Sequence, residues 1–415
     1  MTDSVSPAPE AEFDESTIDR TGLWVTALVL VAMGVCWFAG WTLGWLMSGG
    51  ALIAIVIWQA CDPFAETAQW IGGRLRIPGS VRGATLDAVA SSMPELFSGI
   101  FFVVLAVSAA DPSALSEAGA EGYGATIATC AGSAVYNMIL IPAAVALVVS
   151  YRRHTQRHVE VENVVLARDG VWFLVCEMLL IVFLYEEQMQ WWHALVFLGM
   201  YGVYLLMLVR GTYLHRKRLD AEALAREDQE EEEELPTEAS CLFGLFNVPI
   251  GPVSAWTIII VTTLVAAGAC YFLVETTRQT AGLLGVPTFF VAVILAAAVS
   301  SVPDTFLSIG AAMRGDDSGA ISNAFGSNIF DICVCLSIPL LVNSYLVGWE
   351  PVSMLQDGKP IPGLVGLRLL LWVLTAVTLL VLWHRRQLTR AKALFLIALY
   401  LVFVGYAVTG SIWAE

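Results

Sequence analysis

The sequence predicts an all-α polytopic membrane protein made of two inverted-topology repeats of five transmembrane helices. Three observations support this fold class: the hydropathy, an internal repeat and the distribution of basic residues. The 415 residues are 57% hydrophobic and 14% charged, and the mean hydropathy is +0.72, values that soluble globular domains seldom reach. The chain is therefore expected to lie in a lipid bilayer.

Apolar runs that are long enough to cross a bilayer, about 17–25 residues, occur along almost the whole chain. They lie at 22–40, 43–60, 83–109, 124–150, 170–186, 190–210, 251–275, 286–312, 319–345, 364–384 and 391–412. The sequence before and between them is acidic, which accounts for the net charge of −16 and makes a nucleic-acid partner very improbable. The predicted division is an acidic disordered tail (1–21), an extra N-terminal transmembrane helix (22–42), a first repeat (43–210), an acidic cytoplasmic linker (211–250) and a second repeat (251–415).

The two halves of the chain share an internal repeat. Sliding the sequence by 209 positions superposes Glu66–Glu95 on Glu275–Asp304 without a gap, and Gly132–Asn137 matches Gly326–Asp331 at an offset of 194. Each copy contains an odd number of predicted spans, so the second copy enters the membrane from the opposite side. Inverted repeats of this kind build transporters whose binding site lies near the membrane midplane.

Basic residues fall on alternate connections between the spans, and such connections are normally cytoplasmic. The other side carries only Arg278, Lys359 and Arg368. This asymmetry predicts that the linker 211–250 is cytoplasmic, that the C-terminus is external and that the membrane is the cell membrane. The basic set is Arg74, Arg76, Arg82, Arg152, Arg153, Arg157, Arg168, Arg210, Arg216, Lys217, Arg218, Arg226, Arg314, Arg385, Arg386, Arg390 and Lys392.

Each repeat places one carboxylate inside an apolar run, in the segments Ser91-Ser92-Met93-Pro94-Glu95 and Ser300-Ser301-Val302-Pro303-Asp304. Charge in the hydrocarbon region is costly, so such an acid is a functional candidate by default. Each proline is expected to split its helix and to free carbonyl oxygens near 88–91 and 297–300. Hydroxyl, carbonyl and carboxylate oxygens together suit a hard cation such as Ca²⁺.

These paired motifs resemble the calcium/cation antiporter superfamily, and specifically its potassium-dependent sodium/calcium exchanger branch. The resemblance covers nearly all of 43–412. It implies ten core helices in two inverted repeats and exchange of Na⁺ for Ca²⁺ together with K⁺. It is carried by Cys61-Asp62, Gly83-Ala84-Thr85, Ser91 to Phe97, Gly132 to Asn137, Arg168-Asp169, Trp191-Trp192, Ser300 to Asp304 and Gly326 to Cys333.

The resemblance also implies a set of ion ligands. Glu95 and Asp304 would be the central Ca²⁺ ligands, and Asp331 occupies the position linked to K⁺. The spacing Ser133 to Asn137, and likewise Ser327 to Asp331, is i, i+4, which places each pair on one helix face. No cofactor beyond the transported ions is expected, and the partners are those cations and the lipid bilayer. The remaining implied ligands are Ser91, Ser92, Ser300, Ser301, Ser133, Asn137, Ser327 and the backbone carbonyls of Ala88 and Ala297.

Several alternatives remain open at the level of the sequence. The same fold could exchange Ca²⁺ or another divalent cation for protons, with the carboxylates as proton carriers. A remote alternative from another class is an intramembrane aspartyl protease, in which two acids share a proton. Asp87 lies at i−8 from Glu95, where the exchanger branch usually has an apolar residue. It either attracts cations or carries a proton, or it extends to the membrane interface near Arg82 and does neither.

Overall fold

The computed structural model describes residues 20–75, 77, 83–153, 158–186, 188–217, 235–356, 359–360 and 364–412. Helical runs dominate this part of the chain, accompanied by four two-stranded sheets. The predicted tail up to residue 19, the linker segment 218–234, and Arg76, Arg82 and Arg157 lie outside the described residues.

The helical runs follow the predicted spans one for one. The extra N-terminal helix is α1 (Arg20–Phe38). The first repeat contains α2 (Thr42–Arg74), α3 (a π-helical turn Gly83–Asp87 and then Ala88–Ser108), α4 (Leu115–Arg152), α5 (Asn163–Val165, a π-helical turn Leu166–Gly170 and Val171–Leu184) and α6 (Trp191–Arg216).

The second repeat has the same order of helices. It contains α7 (Pro252–Leu284), α8 (Thr288–Val291, a π-helical turn Ala292–Ala296, Ala297–Ser300 and Val302–Met313), α9 (Asp317–Phe330, a π-helical turn Asp331–Cys335 and Ser337–Leu346), α10 (Leu364–Trp383) and α11 (Arg390–Ile412). Within the described residues, nine of these runs are long and apolar enough to span a membrane, all except α5 and α10. The predicted fold class is confirmed.

Short strands at the ends of the helices obey the inverted symmetry of the repeats. β1 (Val159–Glu160) pairs with β8 (Gln387–Leu388), and β2 (Gln188–Met189) pairs with β5 (Val352–Ser353). β1 and β5 both precede the fourth helix of a repeat, whereas β2 and β8 both precede the fifth. Exchanging the two repeats therefore exchanges the two sheets, which tie the halves together at both ends of the bundle.

The remaining four strands form two hairpins. β3 (Glu238–Cys241) and β4 (Phe246–Pro249) pair within the linker, and β6 (Leu355–Gln356) pairs with β7 (Lys359–Pro360). The first of these hairpins lies directly before α7 and packs against α2.

The centre of the bundle is formed by α3, α4, α8 and α9. In the most apolar stretch of these helices 61% to 72% of the residues are buried, against 33% in α2 and α7. The long helices α2 and α7 pack along each other at the side of this centre. The four central helices are those that carry the predicted ligands.

The two prolines of the serine motifs act differently from each other. The prediction that Pro94 splits its helix is wrong, because α3 continues from Ala88 to Ser108 with Pro94 inside it. A membrane helix can continue through one proline, because the missing N–H removes only the single bond to the carbonyl four residues earlier, that of Ala90. In α8 the break is real: Ser301 leaves the helical conformation and Pro303 lies in the first turn of the next segment.

Candidate cation site

The two serine motifs meet at the centre of the bundle. All the polar side chains of the predicted ligand set are fully buried, and Ala88 and Ala297 are 1% exposed. Burying a carboxylate without a partner is costly, so the contacts of each acid determine what the site can hold. Those contacts divide into one group around Ser133 and one around Asn137.

Ser133 joins acids from the two repeats. Its Oγ lies 3.0 Å from Glu95 Oε1 and 3.0 Å from Asp331 Oδ2. It also accepts a hydrogen bond of 2.9 Å from Ser301 Oγ. A hydroxyl has one hydrogen to donate, so it can donate to only one carboxylate at a time. The other charge needs a proton or a cation.

Asn137 plays the corresponding role at the second acid. Its Nδ2 donates to Asp304 Oδ2 and to Ser327 Oγ, each at 3.3 Å, and lies 3.3 Å from Ser133 Oγ. Ser133 and Asn137 therefore share one face of α4, as the i, i+4 spacing indicates. Because the amide nitrogen faces these oxygens, the amide oxygen Oδ1 is left to accept from another group.

The serines of each motif lie beside the acid of the other repeat, Ser91 near Asp304 and Ser300 near Glu95. The carbonyl of Ala297 was expected to be free, and this is wrong. It accepts from the Ser301 amide at 3.1 Å and from Ser300 Oγ at 3.2 Å, because the break in α8 comes after Ser300 rather than before it.

Four buried oxygens of the site find no hydrogen-bond partner among the residues that the structure describes. They are Ser92 Oγ, Glu95 Oε2, Asn137 Oδ1 and Asp331 Oδ1. Native proteins usually pair such buried oxygens with a protein group, a water or an ion, so these four are available to a bound cation or water. In the same part of the chain no three His, Cys, Asp or Glu side chains form a metal cluster by themselves. Carboxylate, hydroxyl and amide oxygens together are a donor set that suits Ca²⁺ better than zinc.

Asn323 and Ser308 belong to the site but were not predicted. Asn323 Nδ2 lies 3.5 Å from Asp304 Oδ1 and donates to Ser308 Oγ at 3.0 Å. Both positions carry a signal that the sequence contained: Asn323 precedes Ser327 by four residues, and Ser308 follows Asp304 by four. Asp87, the other open question, is half-buried and accepts from Gln69 Nε2 of α2 at 3.2 Å.

Gly132 determines how closely α4 approaches α8. A Cβ at this position would overlap the Val293 carbonyl oxygen in the π-helical turn of α8 and would lie 2.6 Å from the Ala297 Cβ. Only glycine allows this approach, which brings the adjacent Ser133 to Ser301 and Glu95. The repeat-related Gly326 has nothing within 4 Å of such a Cβ, so the close approach exists in one repeat only.

Inverted repeats with a break in α8 and a cluster of buried acids, hydroxyls and amides where the repeats meet are features of secondary transporters. The model of the sodium/calcium exchanger protein family matches residues 45–210 and 254–409 of the chain, which is most of its length. The chain belongs to this family of exchangers and is an integral membrane protein. The family match covers both repeats and omits the extra helix α1.

Curated relatives extend the likeness. The chain is 30% identical to sodium/potassium/calcium exchanger 3 of Rattus norvegicus over 157 residues. These residues make up 38% of this chain and 22% of that protein. It is 32% identical to sodium/potassium/calcium exchanger 4 of Homo sapiens over 36% of this chain and 21% of that protein. The matches thus span about a fifth of the length of these relatives. A putative antiporter CaxA of Alkalimonas amylolytica is 23% identical over 70% of this chain and 78% of that protein.

Solved structures share the fold. The H⁺/Ca²⁺ exchanger CAX superposes with a TM-score of 0.61 at 14% identity, covering 94% of this chain and 89% of the other. The sodium-calcium exchanger NCX_Mj superposes with a TM-score of 0.52 at 18% identity, covering 87% and 98%. At these identities the likeness concerns the fold, and two different coupling ions occur on it.

Proposed function

We propose that the protein is a secondary antiporter that exchanges Ca²⁺ for Na⁺ and moves K⁺ together with Ca²⁺. The observation that carries this proposal is the group of unpartnered buried oxygens of Ser92, Glu95, Asn137 and Asp331 between the two repeats. Hard oxygen ligands of mixed charge suit Ca²⁺ and Na⁺. Glu95 and Asp304, with a combined charge of −2, would balance one Ca²⁺.

Asp331 is the reason to include K⁺. It adds a third negative charge to the cavity, whereas the first repeat has the neutral Asn137 at the equivalent place. A charge of −3 balances one Ca²⁺ and one K⁺. Asp331 Oδ2 and Glu95 Oε1 both lie 3.0 Å from Ser133 Oγ, so one bound cation could balance charge on both acids. The sodium/potassium/calcium exchangers among the relatives agree with this proposal.

The site directly supports a second coupling ion, the proton. Ser133 can donate to only one of its two carboxylates, and a proton on the other acid would satisfy the site as well as a cation would. Calcium uptake into proteoliposomes separates the two cases. An outward Na⁺ gradient should drive uptake, external K⁺ should increase it, and a pH gradient alone should not. Uptake that follows the pH gradient and ignores Na⁺ would establish the proton exchanger instead.

We further propose that the chain divides at the boundaries expected from the sequence and lies in the cell membrane with its linker in the cytoplasm and its C-terminus outside. The asymmetry of Arg and Lys supports this orientation. An impermeant thiol reagent tests it on single cysteines placed in the linker and at the C-terminus. Labelling of the linker from outside intact cells would reverse the orientation.

The proposed motion is a slide of α2 and α7 as a pair against the other helices of the two repeats. These two helices contribute none of the site residues, and they pack along each other at the side of the bundle. A pair that only covers the site can expose it to either side of the membrane in turn. A crosslink between α2 and α3 should then stop exchange but leave Ca²⁺ binding intact, and undiminished exchange would contradict the motion.

A further inference from the structure

The β3–β4 hairpin of the linker is fastened along α2 at two points. The amide of Ser240 donates to Glu66 Oε2 at 2.7 Å, and the amide of Phe243 donates to Gln59 Oε1 at 2.6 Å. Gln59 and Glu66 are seven residues apart, about two helical turns, and so lie on one face of α2. The hairpin therefore runs parallel to this face rather than touching it at a single place.

The base of the hairpin is fastened to α7 as well. Ala239 and Ile250 are buried in an apolar cluster with Ala255 and Ile258 of α7, and Trp70 of α2 packs against the same cluster. The chain passes from β4 into α7 through Gly251. One small hairpin thus holds the cytoplasm-directed end of α2, as proposed above, to the start of α7.

The tip of the hairpin has an unusual backbone. Leu242, Phe243 and Gly244 have positive φ angles of 51°, 60° and 76°, a conformation that bulky residues rarely adopt and that concentrates at functional positions. This backbone directs Phe243 towards α2. Its ring meets that of Trp58 edge-on at 5.4 Å.

Trp58 continues this contact to a helix that carries site residues. Its ring stacks on Phe306 of α8, with centroids 3.7 Å apart and an interplanar angle of 7°. Phe306 follows Asp304 by two residues. The aromatic row Phe243, Trp58 and Phe306 therefore connects the linker hairpin, the proposed mobile pair and a ligand-bearing helix.

The corresponding part of α7 has no such row. At the repeat offset of 209, Trp58 corresponds to Ala267 and Gln59 to Gly268, whereas Glu66 corresponds to Glu275. Glu275 lines a cavity of about 450 Å³, together with residues that include Glu121 and Arg278. The two repeat-related helices therefore have different surroundings, because Glu66 accepts from the hairpin whereas Glu275 lines a cavity.

We propose that the hairpin Glu238–Pro249 is a clip that joins α2 to α7 and, through Phe243, holds Trp58 in its stack on Phe306 of α8. The clip rests on the proposed antiport by alternating access. By supporting this stack between the mobile pair and α8, Phe243 favours the conformation of this structure over one in which α2 has moved away from α8. The clip thereby acts on the first helix of one repeat and makes an otherwise symmetric exchanger unequal.

Hydrogen–deuterium exchange of the purified full-length protein tests the clip without any transport measurement. In Phe243→Ala, amides of α2 between residues 54 and 74 should exchange at least about threefold faster than in the wild type, because local opening sets the exchange rate. Gln59→Ala, which removes the other contact of the tip, should act in the same direction. The control is Phe246→Ala in the same hairpin, since Phe246 is 62% exposed. Equal exchange in the Phe243 and Phe246 variants would overturn the proposal.

Sided transport gives the second test. In vesicles of known orientation, Phe243→Ala should change the ratio of the apparent Ca²⁺ affinities at the two membrane faces by about threefold or more, because the apparent affinity follows the fraction of molecules open to each side. Phe246→Ala should leave the ratio unchanged. An unchanged ratio in Phe243→Ala would contradict the clip. If the wild type moves no Ca²⁺, the proposed antiport fails. The hydrogen–deuterium exchange of the variants still tests the clip in that case.

Discussion

Replacing Glu95 by Gln removes a charge from the centre of the site while keeping its shape. The glutamine retains an oxygen where Glu95 Oε1 lies, 3.0 Å from Ser133 Oγ. A Ca²⁺ bound through oxygens at roughly 2.3–2.6 Å would place its charge about 3 Å from the carboxylate. At an effective dielectric constant of about 20, the attraction between the +2 and −1 charges is worth about 11 kcal/mol, part of which is offset by the desolvation of the carboxylate and by the amide oxygen that glutamine keeps. We therefore expect Glu95→Gln to weaken Ca²⁺ binding by about 10³-fold or more.

Calorimetric titration of the purified protein in nanodiscs measures this loss directly. The thermal melting point provides a second readout, because saturating Ca²⁺ at about 100 times its Kd should stabilise the wild type by about 2.7 kcal/mol but not the variant. Glu117→Gln is the matched control, since Glu117 is an exposed acid in the first turn of α4. A Ca²⁺ affinity within threefold of the wild type in Glu95→Gln would refute the assignment of this acid.

Three more substitutions test separate parts of the structure. Asp331→Asn should keep Na⁺-driven Ca²⁺ flux and abolish its stimulation by K⁺, and persistent stimulation would exclude Asp331 as the K⁺ ligand. Asp169→Ala should lower the melting point in detergent by an amount equivalent to about 3–5 kcal/mol. The reason is that the fully buried carboxylate accepts from the side chains of Arg168, Tyr204 and Ser322. Ala at the exposed Asp111 should leave the melting point unchanged. Gly132→Ala should cost about 1–3 kcal/mol by overpacking and weaken Ca²⁺ binding, while Gly326→Ala should be neutral or slightly stabilising in both measurements.

The sequence predicted the helices and the residues that meet at the site because both depend on strong local rules. A bilayer requires long apolar runs, and a carboxylate such as Glu95 inside one of them has few explanations other than function. The internal repeat then pairs Glu95 with Asp304 through sequence alone. The structure brings these acids together with Ser133, Asn137 and Asp331.

Other features depend on contacts between helices, which local rules do not determine. The course of α3 through Pro94 depends on how the neighbouring helices pack against it, which the local sequence does not determine. Asn323 had the right spacing on α9, but its contact with Asp304 depends on how α8 and α9 pack. The position of the β3–β4 hairpin was even less predictable from the sequence, because the Ser240 amide donates to the Glu66 side chain, 174 positions away.

The most direct test of the central claim is to locate the divalent cation itself. Crystals of the protein soaked in Sr²⁺, a heavier analogue of Ca²⁺, should show one strong anomalous peak among the unpartnered oxygens of Ser92, Glu95, Asn137 and Asp331, in contact with Asp304. The peak should disappear in Glu95→Gln and remain in Glu117→Gln. A site that stays empty at saturating Sr²⁺, or a peak elsewhere in the bundle, would contradict the account.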